Sequence, residues 1–266
     1  MQNSLVKEQI KKRVVRSGNS GAVWVPKHWL GEEIVVTRLE TPKLSLQEEI
    51  LNLLLTHLKD ISGIFLYGSY ARKEETQDSD IDVLVVAKNK FTLERTKKFD
   101  ISVIESAKIK DAAQRNPFVH AIIHEAKPLM NSSLLEELQH CPTDFKHFIR
   151  WFKETTADSM ESTKELLDLD KLESDHLTSY SAIYSLLLRL KGVFLIKSIL
   201  RHKEFSNVLF KQFLTRFISA SEFVTLLRIY RSIRDNTKLE HANISLSLAY
   251  KLLDILQKEV KHLHAQ

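Results

Sequence analysis

The pattern of hydrophobic and polar positions changes twice along the chain. Between residues 11 and 39, short runs of valine alternate with basic and small residues, which predicts short β-strands joined by tight turns. In residues 45–140, apolar positions at helix spacing alternate with two apolar runs, at 64–67 and 83–86, which predicts helices around a small sheet. From residue 143 onward, apolar positions recur every three or four residues without proline, which predicts a helical bundle.

This pattern predicts an α+β fold in three parts: a β-hairpin module over residues 1–44, a small mixed-sheet core over residues 45–140, and a helical bundle over residues 141–266. The net charge also differs among these three parts of the chain. The segments 1–45, 46–140 and 141–266 carry net charges of +4, −3 and +4, which together give the net charge of +5. The basic first segment indicates contact with nucleic acid, and the acidic middle segment suits a site that collects metal ions.

Composition indicates a globular protein of a reducing compartment. The single cysteine, Cys141, excludes an intrachain disulfide, and its surroundings lack the spacing of a metal site. No apolar stretch approaches the length of a membrane span, and the N-terminus lacks the apolar core of a signal peptide. We therefore expect a cytoplasmic protein without membrane partners.

Candidate chemistry is concentrated where the two apolar runs of the core meet polar residues. Gly68 and Ser69 follow the first run, and a turn after a strand offers backbone N–H groups to phosphate. Asp80 and Asp82 lead into the second run, where alternation along a strand puts both side chains on one face. Two such carboxylates repel each other unless a cation lies between them, and Mg²⁺ prefers oxygen ligands. The sequence therefore predicts metal-assisted phosphoryl chemistry on a nucleotide.

The motif resembles the minimal nucleotidyltransferases of the polymerase-β superfamily, in which Gly-Ser is followed after ten residues by Asp-x-Asp. The resemblance covers residues 45–140. It implies that Gly68 and Ser69 hold the triphosphate and that Arg72 neutralises phosphate or braces the turn. It also implies that Asp80 and Asp82 bind Mg²⁺, expected as two ions, and that Asp100 is the third carboxylate.

The implied reaction transfers a nucleoside monophosphate from a nucleoside triphosphate, with ATP expected, to a hydroxyl acceptor. One departure from the family is Lys73, where glycine is frequent, so the turn could differ or gain a cation near the phosphates. The acceptor stays open between a protein tyrosine, an RNA 3′ end and a small antibiotic, because all of these present a hydroxyl.

The first segment resembles the AbrB/SpoVT-type swapped-hairpin DNA-binding domains. The shared features are a basic strand, the turn at residues 17–21, a second strand ending at Pro26, and a valine-rich strand over residues 33–39. The resemblance implies a homodimer of interlocked chains. It also implies DNA contact through four basic residues, Lys11, Lys12, Arg13 and Arg16.

The bundle carries a polar pair that resembles the motif of HEPN domains. Arg234-Asp235 is followed by His241, and positions seven apart share a face if the helix is unbroken. HEPN bundles occur as ribonuclease toxins and beside minimal nucleotidyltransferases, which would place the chain in a toxin–antitoxin type of system. Asn243 stands where paired toxins often carry tyrosine.

Three functions stay open at this point. The first is the Mg²⁺-dependent nucleotidyltransferase, with the bundle as a substrate-binding or HEPN-like domain. The second is a DNA-binding regulator of the antitoxin type with little catalysis. The third is a HEPN-type ribonuclease that uses Arg234 and His241 on RNA.

Overall fold

The computed structural model describes residues 8, 10, 12–36, 44–76, 79–93, 96, 98–203, 205–238 and 242–263. Its contacts divide the chain into two compact units, Met1–Leu46 and Gln47–Gln266. None of the described helices combines the length and the apolar character needed to cross a membrane.

The first unit contains one short β-hairpin. Strands β1 (Val15–Ser17) and β2 (Ser20–Ala22) pair antiparallel, with Val15 opposite Ala22. The turn between them uses Gly18 at φ +58°, a conformation in which glycine lacks the steric cost of a side chain. A short 3₁₀ helix, Lys27–Trp29, follows, and its Trp29 indole donates a hydrogen bond to the Glu8 carboxylate at 3.0 Å.

The hairpin is shorter than the sequence predicts. Residues 23–26 and residues 33–36 are not in strands, so the prediction of a strand up to Pro26 and of a valine-rich strand from residue 33 is wrong for the described residues. Within this single chain, the described backbone of these residues meets no partner strand, and a strand requires one to form its hydrogen-bond ladder. Val35 and Val36 are consequently 93% and 69% exposed.

The second unit is built on a four-stranded sheet in the order β5-β4-β3-β6. Its strands are β3 (Ile61–Tyr67), β4 (Ile81–Ala87), β5 (Phe99–Glu105) and β6 (Lys127–Met130). β3 pairs antiparallel with both β4 and β6, whereas β4 and β5 run parallel. The mixed sheet predicted for the core is therefore present.

Both faces of the central strands β3 and β4 are buried. On one face, Phe65 and Leu84 pack with side chains from three helices, α3 (Ser106–Arg115), α4 (Pro117–Glu125) and α5 (Ser132–Gln139). α1 (Leu46–Leu54), extended by a 3₁₀ turn at Leu55–Asp60, is tied to β6 by the Gln47 amide and to the start of β5 by the Glu49–Lys98 ion pair. Burial on both faces fits the continuous apolar runs in β3 and β4.

Two helices of the core, α3 and α5, were not predicted. α3 contributes only Ile109 and Ala113 to the buried core, and the remainder of its sequence is polar or small. A helix with so few apolar positions gives a weak periodic signal. By contrast, α4 begins at Pro117, a residue favoured in the first turn of a helix, and the Asn116 side chain caps it by accepting from the N–H of Phe118 at 2.9 Å.

The bundle consists of five helices among the described residues: α6 (Lys146–Glu173), α7 (Tyr180–Leu200), α8 (Asn207–Leu214), α9 (Ala220–Arg234) and α10 (Leu246–Lys261). α7 is the central helix, because its buried residues lie around most of its circumference. Gly192 of α7 lies against Phe152 of α6 and Phe118 of α4, so it brings the bundle close to the core. The α+β fold class is thereby confirmed.

Candidate active site

The parallel pairing of β4 and β5 brings three carboxylates together. Asp82 lies directly opposite Asp100 in the register, and Asp80 precedes β4 by one residue on the same face as Asp82. Ligand oxygens of the three side chains all lie within 4.8 Å of one another. We call Asp80, Asp82 and Asp100 the acidic centre. The structure therefore assembles the carboxylates that the sequence indicated, including the one from the neighbouring strand.

The acidic centre carries charge that its surroundings do not neutralise. Burial, followed by the charges of Asp80 and Asp100, raises the pKa of Asp82 to about 7. A cation among the three groups would reverse this repulsion, and Mg²⁺ takes carboxylate oxygens as ligands. The donor set, its spacing and its excess negative charge all fit a divalent cation.

Gly68 follows β3, lies immediately beside Asp82 and has φ +72°. A Cβ atom at this position would lie 1.9 Å from Asp82 Oδ2, far inside any allowed contact. Only glycine therefore permits both the backbone conformation and the approach of the turn to the acidic centre. Gly68 also starts α2 (Gly68–Arg72), so residues 68–72 form a single helical turn.

The turn ends at Lys73, the position at which the sequence departs from the family pattern. Lys73 adopts φ +58°, the left-handed conformation that glycine adopts without strain. The turn nevertheless closes, because the N–H of Glu74 donates to the carbonyl of Ser69 at 2.9 Å. The substitution therefore leaves the turn intact and adds strain at a single residue.

Glu125 is a site residue that sequence reasoning missed. Its carboxylate accepts from the Gly68 N–H at 2.8 Å and from Arg72 Nη1 at 2.5 Å. The expectation of free N–H groups in this turn is wrong for Gly68, because Glu125 occupies that donor. A signal was present: Glu125 is the last residue of α4, where the helix dipole disfavours a negative charge.

The family resemblance implied two roles for Arg72, and its ion pairs fit the role of bracing the turn. In addition to Glu125, it contacts Glu74, with Arg72 Nε 3.0 Å from Glu74 Oε2. Tyr67, the last residue of β3, is the other missed neighbour. Burial, and to a smaller extent nearby carboxylates, raises the pKa of Tyr67 to about 12, so its hydroxyl stays protonated at neutral pH.

The proposed HEPN pair is not supported by an unbroken helix. α9 ends at Arg234, and Asn236 has φ +50°, so the condition for a shared face with position 241 is not met. His241 lies outside the described residues. Arg234 pairs with Asp235 at 2.6 Å, and the charge of Asp80 contributes to raising the Arg234 pKa.

The candidate DNA-binding residues lie in the first unit. Lys12, Arg13 and Arg16 are exposed, and Lys11 lies outside the described residues. Arg16 donates from Nε to the carbonyl of Gly18 at 3.3 Å, which holds its side chain over the hairpin turn.

Comparisons with known proteins bear on the second unit. Residues 48–149 match the family model described as "Polymerase beta, Nucleotidyltransferase". Among solved structures, the chain is similar to spectinomycin adenyltransferase AAD(9) from Enterococcus faecialis, crystallised with ATP and spectinomycin. Sequence identity is 15% and the TM-score is 0.43, over 80% of this chain and 97% of that chain. A search of curated proteins found no match. Residues 48–149, which match this nucleotidyltransferase family model, carry the acidic centre.

Proposed function

We propose that the protein is a Mg²⁺-dependent nucleotidyltransferase that moves a nucleoside monophosphate from a nucleoside triphosphate, with ATP as the expected donor, to a hydroxyl acceptor. The observation that carries the proposal is the acidic centre beside the Gly68 turn, within the segment that matches the nucleotidyltransferase family. Three carboxylates whose oxygens lie within 4.8 Å of one another would hold Mg²⁺ and supply its Lewis-acid chemistry at this site.

In this proposal, Asp80 and Asp82 would hold Mg²⁺, and Asp100 would complete the set of ligands on the side of the acceptor. Mg²⁺ bound there supplies a clamp for the attacking and leaving oxygens of an in-line displacement. Asp100, which is exposed at the open edge of the centre, can take the proton of the acceptor hydroxyl. The acceptor oxygen then bonds to the α-phosphorus, and pyrophosphate leaves with the electrons of the broken bond.

The Gly68 turn supplies the phosphate contacts in this proposal. Ser69 and the backbone of the turn bind the β- and γ-phosphates, and Arg72 lies close enough to offset their charge. Glu125 accepts the Gly68 N–H, so a phosphate that uses this donor would replace a carboxylate that already occupies it.

The test is ligand-dependent thermal stability. ATP with Mg²⁺ should raise the melting temperature, because a ligand that binds only the native state stabilises it. Asp80→Asn combined with Asp82→Asn removes the metal ligands while keeping size and should abolish the rise. Asp254→Asn, a change of the same type at an exposed position of α10, serves as the matched control. An equal rise in the double variant would place the nucleotide elsewhere.

A second proposal concerns the first unit, which we propose forms a homodimer that binds DNA. It is favoured by exposed apolar residues beside exposed basic ones: Trp24 is 72% and Leu30 74% exposed, and Arg13 and Arg16 lie in or next to the hairpin. Light scattering should give a dimer, and DNA binding should weaken steeply with salt. A monomeric chain would rule out the swapped-hairpin arrangement. A toxin–antitoxin role and a cytoplasmic location remain predictions.

A further inference from the structure

Two histidines of α4 lie against each other and do not belong to the acidic centre. His120 and His124 are four residues apart, so they share one face of the helix. Their ring centroids are 4.1 Å apart, and the ring planes are tilted by 45°. His124 is exposed to solvent, whereas His120 is partly buried. Two imidazoles four residues apart on a helix can bind one metal ion together, which is the geometry of helical zinc sites.

The His120 ring is held in place and is a ready ligand. The ring of Phe145 packs edge-on against it, at a centroid distance of 5.3 Å. Burial, followed by the charge of His124, lowers the pKa of His120 to about 4, so the ring is neutral at pH 7. Neutral imidazole is the form that binds metal, and here no proton has to be displaced first.

A third histidine, His140, lies beside this pair at the end of α5. The Gln139 amide donates to the carbonyl of Ile123 at 3.0 Å, which ties the last turn of α5 to the last turn of α4. The residues that follow these two are His140 and His124. After burial, the charge of His140 is the further cause that lowers the pKa of His124. Packing of two helices thus brings three imidazoles to one edge of the core.

His140 presents a free lone pair. Its Nδ1 atom lies 2.7 Å from the carbonyl oxygen of Glu136. A carbonyl only accepts, so Nδ1 carries the proton and Nε2 carries the lone pair. Histidines that bind metal commonly donate their other ring N–H to a carbonyl in this way. Over the described residues, only the acidic centre gathers three ligands within 4.8 Å, so His140 joins the pair after its exposed side chain adjusts.

The other potential ligands beside the histidines are already engaged. Glu125 follows His124 in the sequence, but its carboxylate accepts from the Gly68 N–H and from Arg72. The thiol of Cys141 donates to a backbone carbonyl at 3.5 Å. Imidazole suits Zn²⁺, whereas Mg²⁺ prefers carboxylates and water. A site made of histidines would therefore select Zn²⁺ in the presence of Mg²⁺.

We propose that His120 and His124 bind one Zn²⁺ ion, with His140 as the third ligand and water completing a tetrahedral set. The ion would join the last turns of α4 and α5 and hold these two helices together. The proposal is independent of the proposed nucleotidyl transfer, because it uses other residues and another class of ligand.

The test is calorimetric titration of the full chain with ZnCl₂ in the presence of excess Mg²⁺. His124→Gln is the primary variant, because this side chain is exposed, and it should weaken Zn²⁺ binding at least about tenfold relative to the wild-type protein. His120→Gln and His140→Gln should weaken it as well. Melting curves verify that each variant is folded, and His124→Gln alone decides if the partly buried His120→Gln fails to fold.

The matched control is His57→Gln, because His57 also stacks on an aromatic ring, that of Phe91 at 4.0 Å. This variant should bind Zn²⁺ as the wild-type protein does, and so should Cys141→Ser. Asp82→Asn should also keep the histidine-dependent binding, which separates this site from the acidic centre. If folded His124→Gln binds Zn²⁺ as tightly as His57→Gln, the proposal is overturned. Loss of the tightest binding in Cys141→Ser or Asp82→Asn, with His124→Gln unaffected, would place the ion elsewhere and overturn it too.

Discussion

The acidic centre and a group of four cations that we call the cationic cluster (Arg72, Lys191, Arg231 and Arg234) are two sets of like charges in the second unit, and they are built differently. The acidic centre comes from one short stretch and its neighbouring strand, at positions fixed by the register of β4 and β5. The cationic cluster comes from three helices whose residues are up to 162 positions apart, from Arg72 to Arg234. Repulsion between like charges lowers the stability of the free protein in both places. The two places differ in how easily each is recognised from the sequence.

This difference explains which site residues the sequence could predict. Asp80, Asp82 and the Gly68 turn are local features, because a strand alternates its side chains and a turn follows its residues. Asp100 was reached through the family resemblance and is now seen opposite Asp82. Glu125 and Lys191 could not be reached, since their contacts depend on how α4 and α7 pack.

The same reasoning applies to the fold. The buried strands β3 and β4 gave continuous apolar runs, and the bundle gave apolar positions every three or four residues, so both were predicted. The end of α9 was not, because Asn236 stops the helix through a backbone conformation that periodicity does not encode. The valine-rich segment at residues 33–36 shows that strand-like composition is insufficient without a partner strand.

Among changes beside the acidic centre, Gly68→Ala should cause the largest loss of unfolding free energy. The added methyl group collides with the Asp82 carboxylate, and the backbone would hold alanine at φ +72°. We expect a loss of roughly 2–3 kcal/mol of unfolding free energy, as for other strained or overpacked positions. The variant should also lose the ATP–Mg²⁺ stabilisation. Gly18→Ala is the control, because Gly18 also has positive φ but has open space around it, so this variant measures backbone strain without a collision. Equal losses of unfolding free energy in both variants would contradict the close approach of Gly68 to Asp82.

On the cationic side, Lys191→Met should stabilise the free protein by about 1–2 kcal/mol at pH 7, because it removes a desolvated charge. Burial, followed by the charge of Arg234, lowers the Lys191 pKa from 10.5 to about 8. The unfolded chain therefore binds more protons between about pH 8 and 10.5, and stability of the wild-type protein should rise with pH across that window. Denaturant titrations at pH 7 and pH 10.5 provide the measurement.

The difference in unfolding free energy between the wild-type protein and Lys191→Met should be smaller at pH 10.5 than at pH 7. A gap that stays constant would show that the charge of Lys191 is not the cause. A destabilised variant would show that the aromatic contact with Tyr230 outweighs desolvation.

A smaller effect on stability is expected at His120, whose pKa is lowered mainly by burial rather than by a group of like charges. Burial, followed by the charge of His124, lowers the pKa of His120 to about 4. The unfolded chain binds more protons between about pH 4 and 6.5, so this residue should cost stability as pH falls through that range. His120→Gln should remove about 1 kcal/mol or less of that loss, since part of the ring stays solvated. Identical acid profiles of stability for the two proteins would contradict the assignment.

The central claim is that the acidic centre carries out transfer of a nucleotidyl group. The most direct measurement follows ATP labelled at the α-phosphate and, in parallel, at the γ-phosphate, with Mg²⁺ and a mixture of acceptors. We expect the α label to become attached to an acceptor and the γ label to be released as pyrophosphate, with wild type and Asp254→Asn alike and with Asp82→Asn reduced by a factor of at least about 100. Attachment of the γ label, or undiminished transfer by Asp82→Asn, would contradict the account.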